Sequence, residues 1–343
     1  MIKFLYRRTV SNLAGFLLAM SFSLSAVAQG NSPDLIESPL FRGEQLMLGG
    51  SYAAASDVFQ MADGLDRREG IVGASRAFGM MGNYQEAIKI CEDAIGDEGY
   101  AEFPLISTQL AELKRLTGNS EAAIAILKQL IDESFEAPVR TLVQYGSLLQ
   151  FVGRKAQAYE YLDQSIQRYN DGLVFSSEDV AMVALASWLT DNFHDANSLF
   201  SEATRANPNN LEAHVLWGDL FLEKYNATDA ERSFQAALDI NSRYTPALIG
   251  IARVVGDERA LERALSINPN SIPALETYGQ LLLLNSREDE AMSYFDRALA
   301  MNSESLKTLS VLGAKAALEK RDEDFQRFKR QVDAFSPNNP KFL

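Results

Sequence analysis

The chain has 343 residues, of which 47% are hydrophobic and 23% charged, the balance of an ordinary soluble folded protein. Its formal net charge of −14 argues against nucleic acid or an anionic membrane surface as the main partner, because both attract a basic face. The single cysteine, Cys91, leaves no internal disulfide to form, and its position in a helical pattern predicts a small core residue.

The first 28 residues predict a signal peptide. Basic residues within the first eight positions precede an apolar stretch that begins at Leu13, and Ala-Val-Ala at 26–28 has the small-x-small form that signal peptidase accepts. We expect cleavage after Ala28 and export, to the periplasm or beyond it, with no membrane insertion of the mature chain. An uncleaved anchor helix is the alternative. Residues 29–35 are then an exposed lead-in.

One stretch, Leu211–Tyr244, spaces large and small residues in a regular way. Gly218, Ala230 and Ala237 lie where two paired helices would cross closely, and Phe234 would fill the space between them. This spacing resembles the tetratricopeptide repeat (TPR), a unit of 34 residues that folds as helix–turn–helix.

Copies of this pattern in register account for almost all of the remaining chain. They divide into N-terminal units over 36–172 and C-terminal units over 177–339. The polar stretch between them is either a flexible joint or a longer loop. The unit at 245–271 is about seven residues short, which predicts clipped helices. The unit at 306–339 has a more charged second helix, as expected of a cap.

The resemblance implies an all-α fold, a right-handed superhelical solenoid of about nine antiparallel helix pairs. It also implies that the first helix of each pair lines a concave groove, with positions two, five, six, nine, twelve and thirteen facing a partner. Candidate partner-binding residues at or near these positions are Arg76, Gln109, Glu112, Arg140, Gln144, Gln150, Trp188, Asp219, Leu222, Glu276, Gln280 and Leu283.

The apolar members of this set have two interpretations. Trp188, Leu222 and Leu283 share position twelve, and they either pack against the next unit or form a stripe for an amphipathic partner helix. Chaperone-binding relatives hold a terminal carboxylate with a clamp of Lys, Asn and Arg. The corresponding positions here include Val215 and Pro246, so the clamp is missing.

Neither a catalytic constellation nor a metal site is evident in the sequence. His194 and His214 have no other His or Cys three or four residues away, and the phosphate-binding, nucleophile-elbow, dinucleotide-binding and calcium-loop motifs are missing. We therefore predict a protein that is not an enzyme and binds neither cofactor nor metal.

These features together predict a non-catalytic protein–protein interaction scaffold or adaptor of the bacterial cell envelope. Its partner would be a protein or peptide segment in the groove. One alternative is an accessory subunit that delivers substrates to an envelope protease or assembly complex, and another is a glycan-binding carrier. The region from Leu211 onward also resembles the repeat tract before the zinc peptidase domain of some exported bacterial proteins, which is consistent with the first alternative.

Overall fold

A computed structural model describes residues 38–96, 102–337, 339 and 342. The predicted signal peptide and lead-in lie outside these residues. From Pro39 onward the chain forms one unit, and its described part contains eighteen α-helices and no strand. None of these helices combines the length and the apolar character needed to cross a bilayer.

The helices are arranged in nine pairs, numbered here as units one to nine. In chain order they are α1 (Pro39–Leu48) and α2 (Tyr52–Phe59), α3 (Arg67–Met80) and α4 (Tyr84–Ile95), α5 (Pro104–Leu116) and α6 (Ser120–Glu133), α7 (Val139–Phe151) and α8 (Lys155–Asn170), α9 (Ser177–Leu189) and α10 (Phe193–Ala206), α11 (Leu211–Glu223) and α12 (Ala227–Ile240), α13 (Thr245–Val255) and α14 (Glu258–Ile267), α15 (Ile272–Leu284) and α16 (Glu288–Met301), α17 (Leu306–Leu318) and α18 (Asp322–Phe335).

This architecture confirms the predicted all-α superhelical array of helix pairs. In unit seven, α13 has 11 residues and α14 has 10, against 13 and 14 in the pair α11 and α12. Both helices of the short unit are therefore clipped.

The polar stretch after Asn170 is a loop in which Val174 packs against the core cluster shared by units on both sides.

Within a unit, a phenylalanine of the second helix packs against glycine of a first helix. Phe234 is fully buried between Gly218 of its own unit and Gly250 of the next. A Cβ atom built on Gly218 would lie 2.6 Å from the Phe234 ring, and one built on Gly250 would lie 2.3 Å from it. Both distances are shorter than non-bonded carbon atoms can approach. The same contact recurs elsewhere in the array, between Phe59 and Gly43, Phe59 and Gly73, and Phe295 and Gly279.

The second half of the array docks on the first half. We call this contact the seam, and it joins the turns within units one to four to the ends of the second helices in units six to nine. In unit six, Asn241 Nδ2 donates to the Met47 carbonyl at 3.0 Å and to Tyr52 Oη at 3.1 Å. In unit seven, Asn268 Nδ2 reaches the equivalent acceptors of unit two, the Gly79 carbonyl and Tyr84 Oη, both at 3.2 Å.

Units eight and nine continue the seam in the same register. Asn302 Nδ2 donates to the Arg115 carbonyl of unit three at 3.4 Å, and Ser336 Oγ donates to the Phe151 carbonyl of unit four at 2.8 Å. The Phe151 ring stacks on Phe335 with centroids 5.4 Å apart. Each of units one to four thus meets the unit five places later, and successive turns of the superhelix contact each other directly.

Glycine at the turns permits this contact. Gly82 has φ +78°, and a Cβ atom there would lie 2.3 Å from Asn268 Oδ1. Backbone conformation alone does not require glycine, because the same left-handed turn is made by Asp191, Tyr225, Ser286 and Lys320 in units five, six, eight and nine. Glycine occupies this position in each of the first four units, where a second-helix end packs on the turn.

Candidate partner-binding surface

The first helices converge on one side of the array, which we call the inner face and which centres on Arg140 and Glu212. Arg140 Nη1 and Nη2 donate to the two carboxylate oxygens of Glu212 at 3.1 Å and 2.7 Å. These residues lie on α7 and α11, so their ion pair passes over unit five. Such a contact requires that the first helices of units four and six lie on the inside of the curve.

Charge on the inner face is balanced within the chain. Burial alone would raise the pKa of Glu212, but the Arg140 guanidinium reverses this effect and holds that pKa below its ordinary value. The Arg140 pKa is raised by Glu212 in return. The two side chains remain 32% and 42% exposed, so water reaches them.

Other predicted groove residues also have intramolecular partners. Arg76 pairs with Glu44 of unit one at 3.4 Å, and Asp219 pairs with Arg253 of unit seven. Glu112 accepts two hydrogen bonds from Arg115, one turn later on α5, at 2.6 Å and 2.9 Å. A bound segment would have to displace these groups or use their remaining hydrogen-bonding capacity.

The side chains near the ends of the first helices contact neighbouring units. Trp188 is half-buried against the core, and its indole N–H donates to Glu223 of unit six at 3.0 Å. Gln150 Nε2 donates to the Leu189 carbonyl of unit five at 2.8 Å. Leu222 and Leu283 are half-buried against hydrophobic clusters. Gln109 and Gln144 are half-buried, and Gln144 Oε1 is a buried acceptor for which the described residues provide no hydrogen-bond donor.

The seam encloses a cavity of about 500 Å³ on this face. Glu276 and Gln280 of α15 line it, together with the ends of α5 and α7 and the start of α17. Of the twelve predicted groove residues, only these two belong to the lining. Because the walls come from units three, four, eight and nine, the cavity exists only where successive superhelical turns meet.

Four lining residues of α17 are absent from the predicted set, namely Leu306, Lys307, Ser310 and Val311. The last three occupy positions two, five and six of unit nine, which are groove positions in the TPR pattern. The pattern therefore contains the signal for them, but the charged second helix favours an interpretation of this unit only as a cap.

A buried acid and an exposed base lie at this cavity. Glu276 is 8% exposed, and burial raises its pKa, although the hydrogen bonds from Ser305 and Thr308 and the charge of Lys307 oppose the shift. Local desolvation of the Lys307 ammonium lowers its pKa, while Glu276 opposes that change. Lys307 Nζ donates to Thr277 Oγ1 at 3.5 Å. The site thus offers one anionic acceptor and one cationic donor between apolar walls.

Within the described part of the chain, no group of three His, Cys, Asp or Glu residues is arranged to hold a metal ion. The polar groups that line the cavity can bind a ligand by hydrogen bonds and charge.

The comparisons with known proteins agree with this architecture. Residues 184–244 match the family model described as tetratricopeptide repeat. A chain of the APC/C hetero-tetramer Cut9–Hcn1 has the same fold, with TM-score 0.59 and 12% identity over 86% of this chain and 60% of that chain. The chain therefore has the fold of a tetratricopeptide-repeat array, and residues 184–244 match the repeat family itself. TPR arrays generally mediate protein–protein interaction and are generally non-catalytic.

Two other solved TPR structures are similar to parts of this one. A thermophilic TPR protein of Thermus thermophilus has TM-score 0.44 and 16% identity, over 49% of this chain and 95% of that chain. A TPR protein of Parabacteroides merdae has TM-score 0.40 and 15% identity, over 79% of this chain and 94% of that chain. No curated protein sequence matches this one.

Proposed function

We propose that this TPR protein is a non-catalytic interaction scaffold of the bacterial cell envelope, which holds a segment of a partner protein in the seam cavity. The cavity carries this proposal, because it joins a pocket of ligand-binding size to the buried carboxylate of Glu276 and the more exposed ammonium of Lys307. Arg76, Arg140 and Asp219, elsewhere on the inner face, are each occupied by an ion pair with an acidic or basic neighbour.

The shape of the array supports a segment as ligand rather than a broad surface. A helix with its side chains is about 10–12 Å across and would fit in the 500 Å³ cavity only by opening the contact between units three and four and units eight and nine. A chain segment of a few residues needs no such opening. The apolar walls would then bind its side chains, and the buried charges would fix its register.

Export is the second part of the proposal, and the sequence of residues 1–28 supports it. A basic start, an apolar stretch and Ala-Val-Ala before Gln29 are the features of a cleaved signal. N-terminal sequencing of the protein recovered from a periplasmic fraction tests this part. We expect Gln29 as the first residue, and a retained Met1 in the membrane fraction would contradict it.

Site-specific photocrosslinking tests the binding site. A compact aliphatic diazirine side chain in place of Val311, which lines the cavity, should yield a defined adduct with a partner in intact cells without filling the cavity. The matched control is Leu318 on the same helix, which is 85% exposed and does not line the cavity. Gln280→Trp should abolish the Val311 adduct by filling the cavity. Equal adducts at both positions, or an adduct that persists with Gln280→Trp, would contradict the proposed site.

A further inference from the structure

Glu276 is the least satisfied charge at the cavity. Both of its hydrogen bonds, from Ser305 Oγ and from Thr308 Oγ1 at 3.4 Å, end on the same oxygen, Oε1. The other oxygen, Oε2, has no hydrogen-bond partner among the described residues, although the side chain is more than nine-tenths buried. Oε2 is accessible from the cavity, so a donor of a ligand can reach it, and the burial of the rest of the residue strengthens such a bond.

The nearest cation does not fill this role. Lys307 Nζ donates to Thr277 Oγ1 and interacts with Glu276 only over a longer distance, because no ion pair within 4.0 Å joins the two among the described residues. Arg115, also at the cavity, is held by its two hydrogen bonds to Glu112. Glu276 therefore faces the cavity with an open acceptor, and the described part of the fold supplies no donor for it.

We propose that the cavity binds the side chain of a lysine in the partner segment, with the ammonium group on Glu276. Leu116, Phe151 and Val311 line the cavity and would contact the aliphatic stem of that lysine. Lys307 would donate to a backbone carbonyl of the same segment. This second contact selects a peptide over a free alkylamine, which has no such acceptor.

Burial raises the pKa of Glu276 even though Ser305, Lys307 and Thr308 oppose the shift, which agrees with an acid that its neighbours stabilise only in part. The inference rests on the proposed use of the cavity as the partner site, and it adds the chemistry of the residue that occupies it. Stability gives an independent indication of the role of Glu276. If this residue served only the fold, neutralising it would lower stability and leave the ligand affinity of the folded protein unchanged. If it serves binding, neutralising it would preserve or raise stability and weaken ligand binding.

The test uses blocked pentapeptides that differ only in a central lysine, norleucine or glutamate, titrated calorimetrically into the full chain. We expect the lysine peptide to bind, and the norleucine and glutamate peptides to bind about ten- to a hundred-fold more weakly, as for the loss of a charge-assisted hydrogen bond. Glu276→Gln should weaken the lysine peptide by a similar factor. Glu290→Gln, an exposed acid on α16 of the same unit, should leave binding unchanged.

A cavity-filling variant and a free alkylamine distinguish the remaining outcomes of this experiment. Val311→Trp, which fills the cavity and leaves Glu276 in place, should abolish binding even if Glu276→Gln lowers the unfolding midpoint. Equal affinity for lysine and norleucine peptides, or unchanged binding in the Val311→Trp variant, would overturn the inference. Equal affinity for n-pentylamine would overturn the assignment to a peptide. If the Val311 photoadduct persists while lysine peptides fail to bind, the lysine assignment is wrong and the proposed site stands.

Discussion

Gly82 of unit two and Asn268 of unit seven meet across the seam so closely that a Cβ atom on the glycine would lie 2.3 Å from Asn268 Oδ1. Asn268 Nδ2 donates to the Gly79 carbonyl, and Asn270 Nδ2 donates to the Gly82 carbonyl at 3.1 Å. One turn of the superhelix is thus fastened to the next by polar side chains on backbone acceptors, and the cavity lies farther along the same contact.

The first prediction concerns the glycine turns. Gly82→Ala should lower the free energy of unfolding by about 2 kcal/mol or more, because alanine is strained at φ +78° and its methyl group meets Asn268. Ser286→Ala is the matched control, at the same turn position of unit eight, where the residue is exposed with φ +60°. It should change stability by less than about 0.5 kcal/mol. Urea unfolding compares the two, and equal effects would argue against the seam.

The second prediction separates the seam from local turn chemistry. Asn268→Ala should cost about 1–2 kcal/mol and should lower hydrogen-exchange protection in residues 79–84, far away in the sequence. Asn207 is the control. Its Oδ1 accepts the same local turn bond, from the Asn209 backbone N–H at 3.0 Å, but its Nδ2 donates to Glu178 of its own unit instead of to another turn of the superhelix. Asn207→Ala should leave residues 79–84 protected. Loss of protection there in both variants would contradict a specific role for Asn268.

The third prediction tests helix crossing. Gly218→Ala should destabilise the protein by about 1–3 kcal/mol, because the new methyl group would overlap the Phe234 ring. In Gly79→Ala the nearest atom is Leu113 Cδ2 at 3.8 Å, so this substitution should stabilise by about 0.5–1 kcal/mol. Thermal unfolding of both variants is the measurement. Destabilisation by Gly79→Ala would show that α3 and α5 pack more closely than this distance indicates.

The fourth prediction concerns Cys91, which is buried with its thiol donating to Ser75 Oγ at 3.3 Å. Burial raises the pKa of this thiol to about 11, although the Ser75 hydrogen bond opposes the shift. At pH 8 the native thiol should therefore remain protonated and react with a disulfide reagent far more slowly than in urea. Because the native pKa lies above the unfolded value, the contribution to stability is complete below that value, about 8.5, and is lost as the pH rises toward 11. Rapid native labelling at pH 8 would contradict this burial.

Much of the fold could be predicted from local sequence. Pro104, Val139, Leu211 and Thr245 are identifiable as unit starts, and each begins a helix. These assignments depend on helix periodicity and on small residues at crossings, which act within one unit.

The seam could not be derived in the same way. It depends on the rotation accumulated over five successive units, and small differences in packing between neighbours set that sum. A partial signal is present, because glycine occupies the turn at Gly50, Gly82 and Gly118 but not at Asp191 or Ser286. The pattern of glycines can be assigned to contacted turns only after the path of the superhelix is known.

The candidate site could be predicted only in part for the same reason. Glu276 and Gln280 follow from the groove positions, but Arg115 and Phe151 reach the cavity from the other superhelical turn. The ion pairs of Arg76, Arg140 and Asp219, which occupy much of the predicted groove, involve residues of other units. A pattern that repeats within units cannot show them.

An engineered disulfide across the seam tests the central claim most directly, since the seam both closes the superhelix and builds the cavity. A Cβ atom at Gly50 would lie 2.8 Å from Arg243 Cβ, and a small shift brings such a pair to the roughly 3.5–4.5 Å of a disulfide. The double variant Gly50→Cys and Arg243→Cys should form an intramolecular crosslink under mild oxidation, seen as faster migration on a non-reducing gel. Ser286→Cys with Arg243→Cys is the control and should not. Failure of the first pair to crosslink within one chain, with the protein folded, would contradict the closed superhelix.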